Sequence, residues 1–212
     1  MTILAIGAHN DDHIIGCGGT LAKYAKEGRR VRTIVMSFGE GSHPHLKREV
    51  IVETRIKESL AADKILGGQG VVYFDLKEGK FPEQFKEKHV EKKLIDLIAR
   101  EKPSMIFTHG LDDIHPDHRA VYKLIEKMVL TKKITCPVYS FDVWSLFRFR
   151  KRNLPRMVVD VTSTFNAKIK ALLTHESQTA AIALLLWKII LKDWFNGLMY
   201  GYRYAEVFYR LK

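Results

Sequence analysis

The 212-residue sequence predicts a single α/β domain, Rossmann-like and doubly wound, with a mostly parallel sheet flanked by helices. Three observations carry that expectation. Short apolar runs alternate with helix-length stretches, the pattern of parallel strands joined by crossovers. A composition 46% hydrophobic and 28% charged suits a globular chain with one sizeable core. No internal repeat, low-complexity tract or linker interrupts residues 1–212, so one domain is expected to span them.

The elements follow in order. Residues 2–8 are a continuous apolar run of strand type, followed by a Gly-rich turn at Gly16-Cys17-Gly18-Gly19 and a helix over 18–27 that Gly28 ends. Residues 31–37 read as a second strand, and a helix over 46–66 is closed by Gly67-Gly68. A short strand at 71–74 precedes one amphipathic helix over 83–100 and a strand at 105–109. A helix over 115–130, strands at 138–143 and 157–161, and two helices within 164–198 complete the pattern. The apolar stretch 179–191 is too short to span a bilayer and is broken by Lys188, so it reads as a buried helix; a glycolipid contact or oligomer interface is its rival.

Composition narrows the function classes. Two cysteines, Cys17 and Cys136, make no disulfide framework, and the apolar start carries no basic region ahead of it, so a cytoplasmic protein is expected. The formal charge of +11 invites a nucleic-acid reading. Yet most Lys and Arg alternate with Glu on helical stretches, and no zinc-finger, zipper or RNA-recognition signature appears, so nucleic acid is not the expected partner. The densest basic run, Arg148 to Arg152 interleaved with Phe147 and Phe149, reads as a rim or an anion-facing loop.

Open parallel sheets bind ligands beyond the carboxyl ends of their strands. Two polar clusters fall there: His9-Asn10-Asp11-Asp12-His13 after the first strand, and Asp112 to His118 after the strand at 105–109. His9 and Asp12 are three apart across a turn, so both reach one cation while Asp11 points elsewhere. His115 and His118 share a helix face, with Pro116 suited to its first turn. His9, Asp12 and His118 then form a two-histidine, one-carboxylate set, the ligand count of an open catalytic zinc site. Asp11 and His115 remain as an acid–base pair. Read separately, an Asp after a strand commonly caps a helix, and a lone His is commonly a hydrogen-bonded surface or core residue. Two such clusters at two strand ends favour chemistry. The Gly16–Gly19 turn lacks phosphate-loop spacing and is expected to allow close backbone packing.

At these residues the sequence resembles the PIG-L/LmbE-like de-N-acetylase family. Ala8-His9-Asn10-Asp11-Asp12-His13 with Gly16-Cys17-Gly18-Gly19-Thr20-Leu21 is similar to its first signature, and Asp113-Ile114-His115-Pro116-Asp117-His118 to its second. Weaker matches run through Arg55 with Glu58, His175 with Ser177-Gln178, and Tyr204-Ala205-Glu206. The resemblance implies a zinc-dependent hydrolase that removes the acetyl group from an N-acetylglucosamine-containing small molecule. It implies His9, Asp12 and His118 as zinc ligands, Asp11 as general base and His115 as oxyanion stabiliser and proton donor to the amine. Asp117 would orient a histidine and Arg55 would contact the sugar. Asn10 and His13 depart from the pattern, and His13 is assigned to substrate contact. The rival readings are a basic binding protein with a non-catalytic metal site and a deacylase of a different amide. A homo-oligomer is compatible with either.

Overall fold

The computed structural model describes residues 1–42, 45, 47–144 and 154–211. Its elements are β1 (Thr2–Gly7), α1 (Asp12–Lys26), β2 (Arg30–Val35), α2 (Arg48–Leu66), β3 (Val71–Tyr73), α3 (Phe81–Glu87) and α4 (Val90–Glu101). There follow β4 (Pro103–His109), α5 (Pro116–Leu130), β5 (Val138–Phe141), β6 (Arg156–Asp160), α6 (Phe165–Leu173), α7 (Thr179–Tyr200) and β7 (Ala205–Arg210). The basic run 148–152 lies outside the described residues, as do residues 43 and 44 of the loop after β2.

β1 is buried along its whole length because its alternating side chains feed two cores. Ile3 and Ala5 join the core shared by α1, α6 and the inner face of α7, whereas Leu4 and Ile6 join the one under α4 and α5. The seven strands run in the order β3-β2-β1-β4-β5-β7-β6. β1 pairs in parallel with β2 and β4; only β7 is antiparallel, lying between β5 and β6. The expected mostly parallel, doubly wound sheet is present. Chain direction across the sheet reverses at β1 and β4, so a crevice opens beyond their carboxyl ends.

Four details differ from the sequence reading. Gly16–Gly19 do not form a turn but lie inside α1, which begins at Asp12 and kinks at Cys17. The glycines serve close approach: a Cβ on Gly16 would stand 2.1 Å from the Phe141 ring, and one on Gly19 2.8 Å from Val161. The helix expected over 83–100 is two helices, because His89 takes a left-handed φ of 50° between them. That break lets Phe81 in α3 and Val90, Leu94 and Leu97 in α4 all reach the core. β7 is an additional strand. Finally, α7 is not a fully buried helix: Ile182, Leu185 and Ile189 face inward, but Leu184, Trp187 and Leu191 are exposed.

Candidate active site

Where β1 stops, the chain turns back on itself through Asp12. The His9 amide donates to Asp12 Oδ2 at 2.7 Å, which seats the carboxylate beneath the His9 ring. His118, on the first turn of α5, is brought alongside by the β1–β4 pairing. Its Nε2 lies 3.2 Å from Asp12 Oδ1 and 3.3 Å from His9 Nδ1. His9 Nδ1 is 3.4 Å from Asp12 Oδ2. Ligand atoms of all three residues fall within 4.8 Å of one another, as the spacing in sequence predicts.

Each histidine is backed by a carboxylate on its far side. Asp113 Oδ2 sits 3.1 Å from His118 Nδ1, which favours the proton there and leaves Nε2 facing the centre. Asp113 is itself fixed by the amides of His115, Val143 and Trp144 at 3.1, 2.8 and 3.3 Å. Asp117 Oδ2 and Glu78 Oε1 lie 3.5 and 3.4 Å from His9 Nε2, and the Gly79 amide donates to both oxygens of Asp117. Beneath the set, His109 stacks on His118 at 4.0 Å, and its Nε2 accepts from the Ala8 amide at 2.9 Å.

The electrostatics favour positive charge at the centre. Burial disfavours the His9 and His118 cations. Asp12 and the backing carboxylates nevertheless raise His9 well above its ordinary value and His118 to about 9. Burial likewise opposes ionisation of Asp12, but His118, His109 and His9 hold it well below the usual carboxylate range. Burial and the neighbouring His118 charge push His109 down to about 4, so it stays a neutral base plate. Two imidazole nitrogens and a carboxylate converging in this field form a donor set that fits a divalent cation such as zinc.

The other expected residues take distinct places. Asp11 stands just ahead of α1, where its side chain makes no capping bond, and lines a cleft of about 130 Å³ with His9, Asp12, Arg55, Glu78 and His115; Val143, Trp144, Ala181 and Leu185 give it an apolar wall. Arg55, nearly buried on α2, directs its guanidinium to the Gly39 carbonyl at 3.4 Å on the rim. His115 is the N-cap of α5 rather than part of it. Its Nδ1 accepts from the Asp117 amide at 3.2 Å, which assigns the ring proton to Nε2. Burial, then the charges of His118 and His9, lower its pKa, so the ring is a neutral donor. His13 is not brought to the cleft wall: it is buried in α1, where burial and then His175 push it down to about 3. Cys17 also stands apart, its thiol donating to the His13 carbonyl. A larger groove of about 670 Å³, lined by Lys86, Lys92, Lys123, Lys127 and Lys133, contains none of these groups.

Sequence reasoning missed Asp113, Glu78 and His109 as supports of the cluster. Asp113 stood inside a recognised motif without a role; Glu78, in a surface loop, carried no pattern at all. The weaker motifs prove to be braces. Glu58 accepts from the Ser177 amide and hydroxyl at 2.7 and 2.6 Å, pinning the turn that brings Gln178 to the cleft. Glu206 accepts from the amides of Gly19 and Thr20 at 3.0 and 2.8 Å, tying β7 to α1. Its partner Lys168 lies fully buried, with Nζ 2.7 Å from Glu206 and 2.6 Å from Asp193.

A family model described as GlcNAc-PI de-N-acetylase (PIG-L) matches residues 4–129. The diacetylchitobiose deacetylase of Thermococcus kodakarensis is 27% identical over 220 residues, covering 96% of this chain and 80% of its own. The 4-oxalmesaconate hydratase of Pseudomonas putida is 28% identical over 188 residues, covering 80% and 70%. In fold, the chain matches the N,N'-diacetylchitobiose deacetylase from Pyrococcus horikoshii with a TM-score of 0.81, at 22% identity over 99% of this chain and 83% of that one.

Proposed function

The chain belongs to the PIG-L family of de-N-acetylases, and we propose that it hydrolyses the acetamide of an N-acetylglucosamine-containing small molecule, releasing acetate and the free amino sugar. The observation that carries this reading is the convergence of His9, Asp12 and His118 beside a cleft that also presents Asp11, His115 and Arg55. The three convergent residues are the proposed ligands of one divalent cation, zinc by its suitability for mixed nitrogen and carboxylate donors. When bound, such a cation supplies Lewis acidity that polarises the acetyl carbonyl and makes water acidic enough to attack.

The chain's own groups perform the rest. Asp11, facing the cleft but outside the ligand set, takes the proton of the attacking water and delivers it to the departing amine. His115, neutral and protonated at Nε2, donates a hydrogen bond to the oxyanion where negative charge develops. The sequence expectation had His115 supply the amine's proton; a neutral imidazole is better suited to hydrogen bonding than to giving that proton up. Asp113 and Asp117 hold His118 and His9 in register, and Arg55 grips sugar hydroxyls at the rim. Buried His13 is proposed as packing rather than as a substrate contact. Free Cys17 and Cys136 fit the proposed cytoplasmic setting.

Acetate release measured on zinc-loaded protein with N-acetylglucosamine, its β-linked disaccharide and its inositol and malate glycosides tests the reading. Release from at least one is expected. No release from any, together with water addition to an unsaturated dicarboxylate, would move the chain to the chemistry named for the Pseudomonas relative.

A further inference from the structure

α7 is apolar on two opposite sides. Ile182, Leu185 and Ile189 pack inward, and Asp193 on the same side meets Lys168. On the other side Leu184, Trp187, Leu191, Trp194, Phe195 and Leu198 recur at intervals of three and four, which places them on one stripe. Each is 46–67% exposed. Three aromatic and three leucine side chains half in solvent amount to on the order of 600 Å² of apolar surface, at the upper end of what a monomer shows water.

The rim of this stripe is basic. Lys188 lies with its ammonium 5.8 Å from the Trp187 ring, and Lys192 donates to the Asp142 carbonyl beside the helix. Beyond the end of the helix, exposed Arg203 adds a third cation. Asp193 is the one acid within residues 179–200, and it is spent inside. Charge therefore chooses among occupants. A second copy seated on the same face would set this basic rim against its own symmetry mate, with no acid on the stripe to meet it. A surface bearing anionic groups complements it, and Trp and Tyr beside Lys and Arg are the side chains favoured where hydrocarbon meets headgroups. Among the described residues no helix is long and apolar enough to cross a membrane, so α7 would lie on a bilayer rather than span it.

We propose that the outward face of α7 is a docking surface for an anionic lipid bilayer. Ala181 and Leu185, on the first turns of the same helix, line the cleft. The cleft therefore lies against the inward side of α7, and docking of the outward face leaves it uncovered. The inference goes beyond the deacetylase reading and is tested without it. Co-sedimentation is measured with vesicles of phosphatidylcholine containing about 30% phosphatidylglycerol, and with pure phosphatidylcholine vesicles. Strong binding to the anionic vesicles is expected, weakened by about 0.5 M salt. The doubly substituted Trp187→Glu, Leu191→Glu protein should lose at least about tenfold in partitioning, at 25–33 cal/mol per Å² of apolar area withdrawn. Both positions are exposed, so its acetate release from a soluble substrate should match the parent. As a milder check, Trp187→Phe with Trp194→Phe should keep sedimentation and remove the vesicle-induced blue shift of tryptophan fluorescence. Equal binding to both vesicle types, or binding unaffected by the glutamates, would overturn the proposal. So would a parent dimer that the glutamates convert to monomer while vesicles go unbound, because the face would then belong to a second copy.

Discussion

Among the described residues, the buried charges around Lys168 and those around Asp12 are built on opposite plans. Around Lys168 the groups close on one another: one ammonium bridges Asp193 and Glu206, and Glu206 also takes two backbone amides. Around Asp12 the charges are crowded but open, with imidazole nitrogens turned toward each other at 3.3 Å and carboxylates stationed behind them. A closed cluster fixes a conformation; an open one keeps coordination for something else. The contrast separates support from chemistry better than burial does, since both clusters are buried.

The sharpest way to break the contrast is to remove a group from the open cluster. His118→Ala should cost both bound metal and activity, driving acetate release to background; metal analysis and a kinetic assay on the same preparation check it. A protein that kept both would mean His118 is not a ligand. Next in size, Asp11→Asn should keep its metal and lose about 10²–10⁴-fold in turnover, because the amide cannot take the water's proton. Loss of metal as severe as that of His118→Ala would merge the two roles.

The closed cluster should fail differently. Lys168→Met leaves two buried carboxylates without their cation, an expected loss of about 3–5 kcal/mol in unfolding free energy, read from urea denaturation. What folded protein remains should still bind metal. Burial disfavours the Lys168 cation, but Asp193 and Glu206 raise its pKa above the ordinary lysine value. A group raised on folding stabilises fully below its unfolded pKa of about 10.4 and loses that contribution only as pH climbs through the higher folded value. Urea midpoints between neutral pH and about pH 10 should therefore show no decline from this group. The smallest effect sharpens the comparison from within the open cluster. Asp113→Asn keeps the amide acceptor but weakens the hold on His118, and metal affinity measured by competition with a chelator should fall about 10–100-fold.

Legibility in the sequence followed how local each determinant was. β1 was readable because an unbroken apolar run announces a strand buried on both faces, and His9 and Asp12 because they follow it at once. The break at His89 was hidden, since no Gly or Pro marks it within the amphipathic stretch 83–100 and only the backbone turns. Asp113 sat in plain view, yet its role depends on amides thirty and thirty-one residues away at Val143 and Trp144. His13 is expected at the substrate because it departs from the family pattern inside a motif; its burial one step into α1 depends on packing that the motif does not encode. For 179–191 an apolar run reads the same whether one side or both are covered, and only the packing of α7 distinguishes them.

Every proposed ligand and catalytic residue lies between His9 and His118, but the brace on α1 arrives almost two hundred residues after the chain begins. Glu206 on β7 holds Gly19 and Thr20 across 187 and 186 residues of sequence, and β7 itself slots between two strands already laid down. A growing chain thus carries its full set of reactive groups long before it can lock them in place. During synthesis the proposed metal ligands lack this brace on α1 until β7 has left the ribosome, so their final positioning waits on a strand far downstream of them.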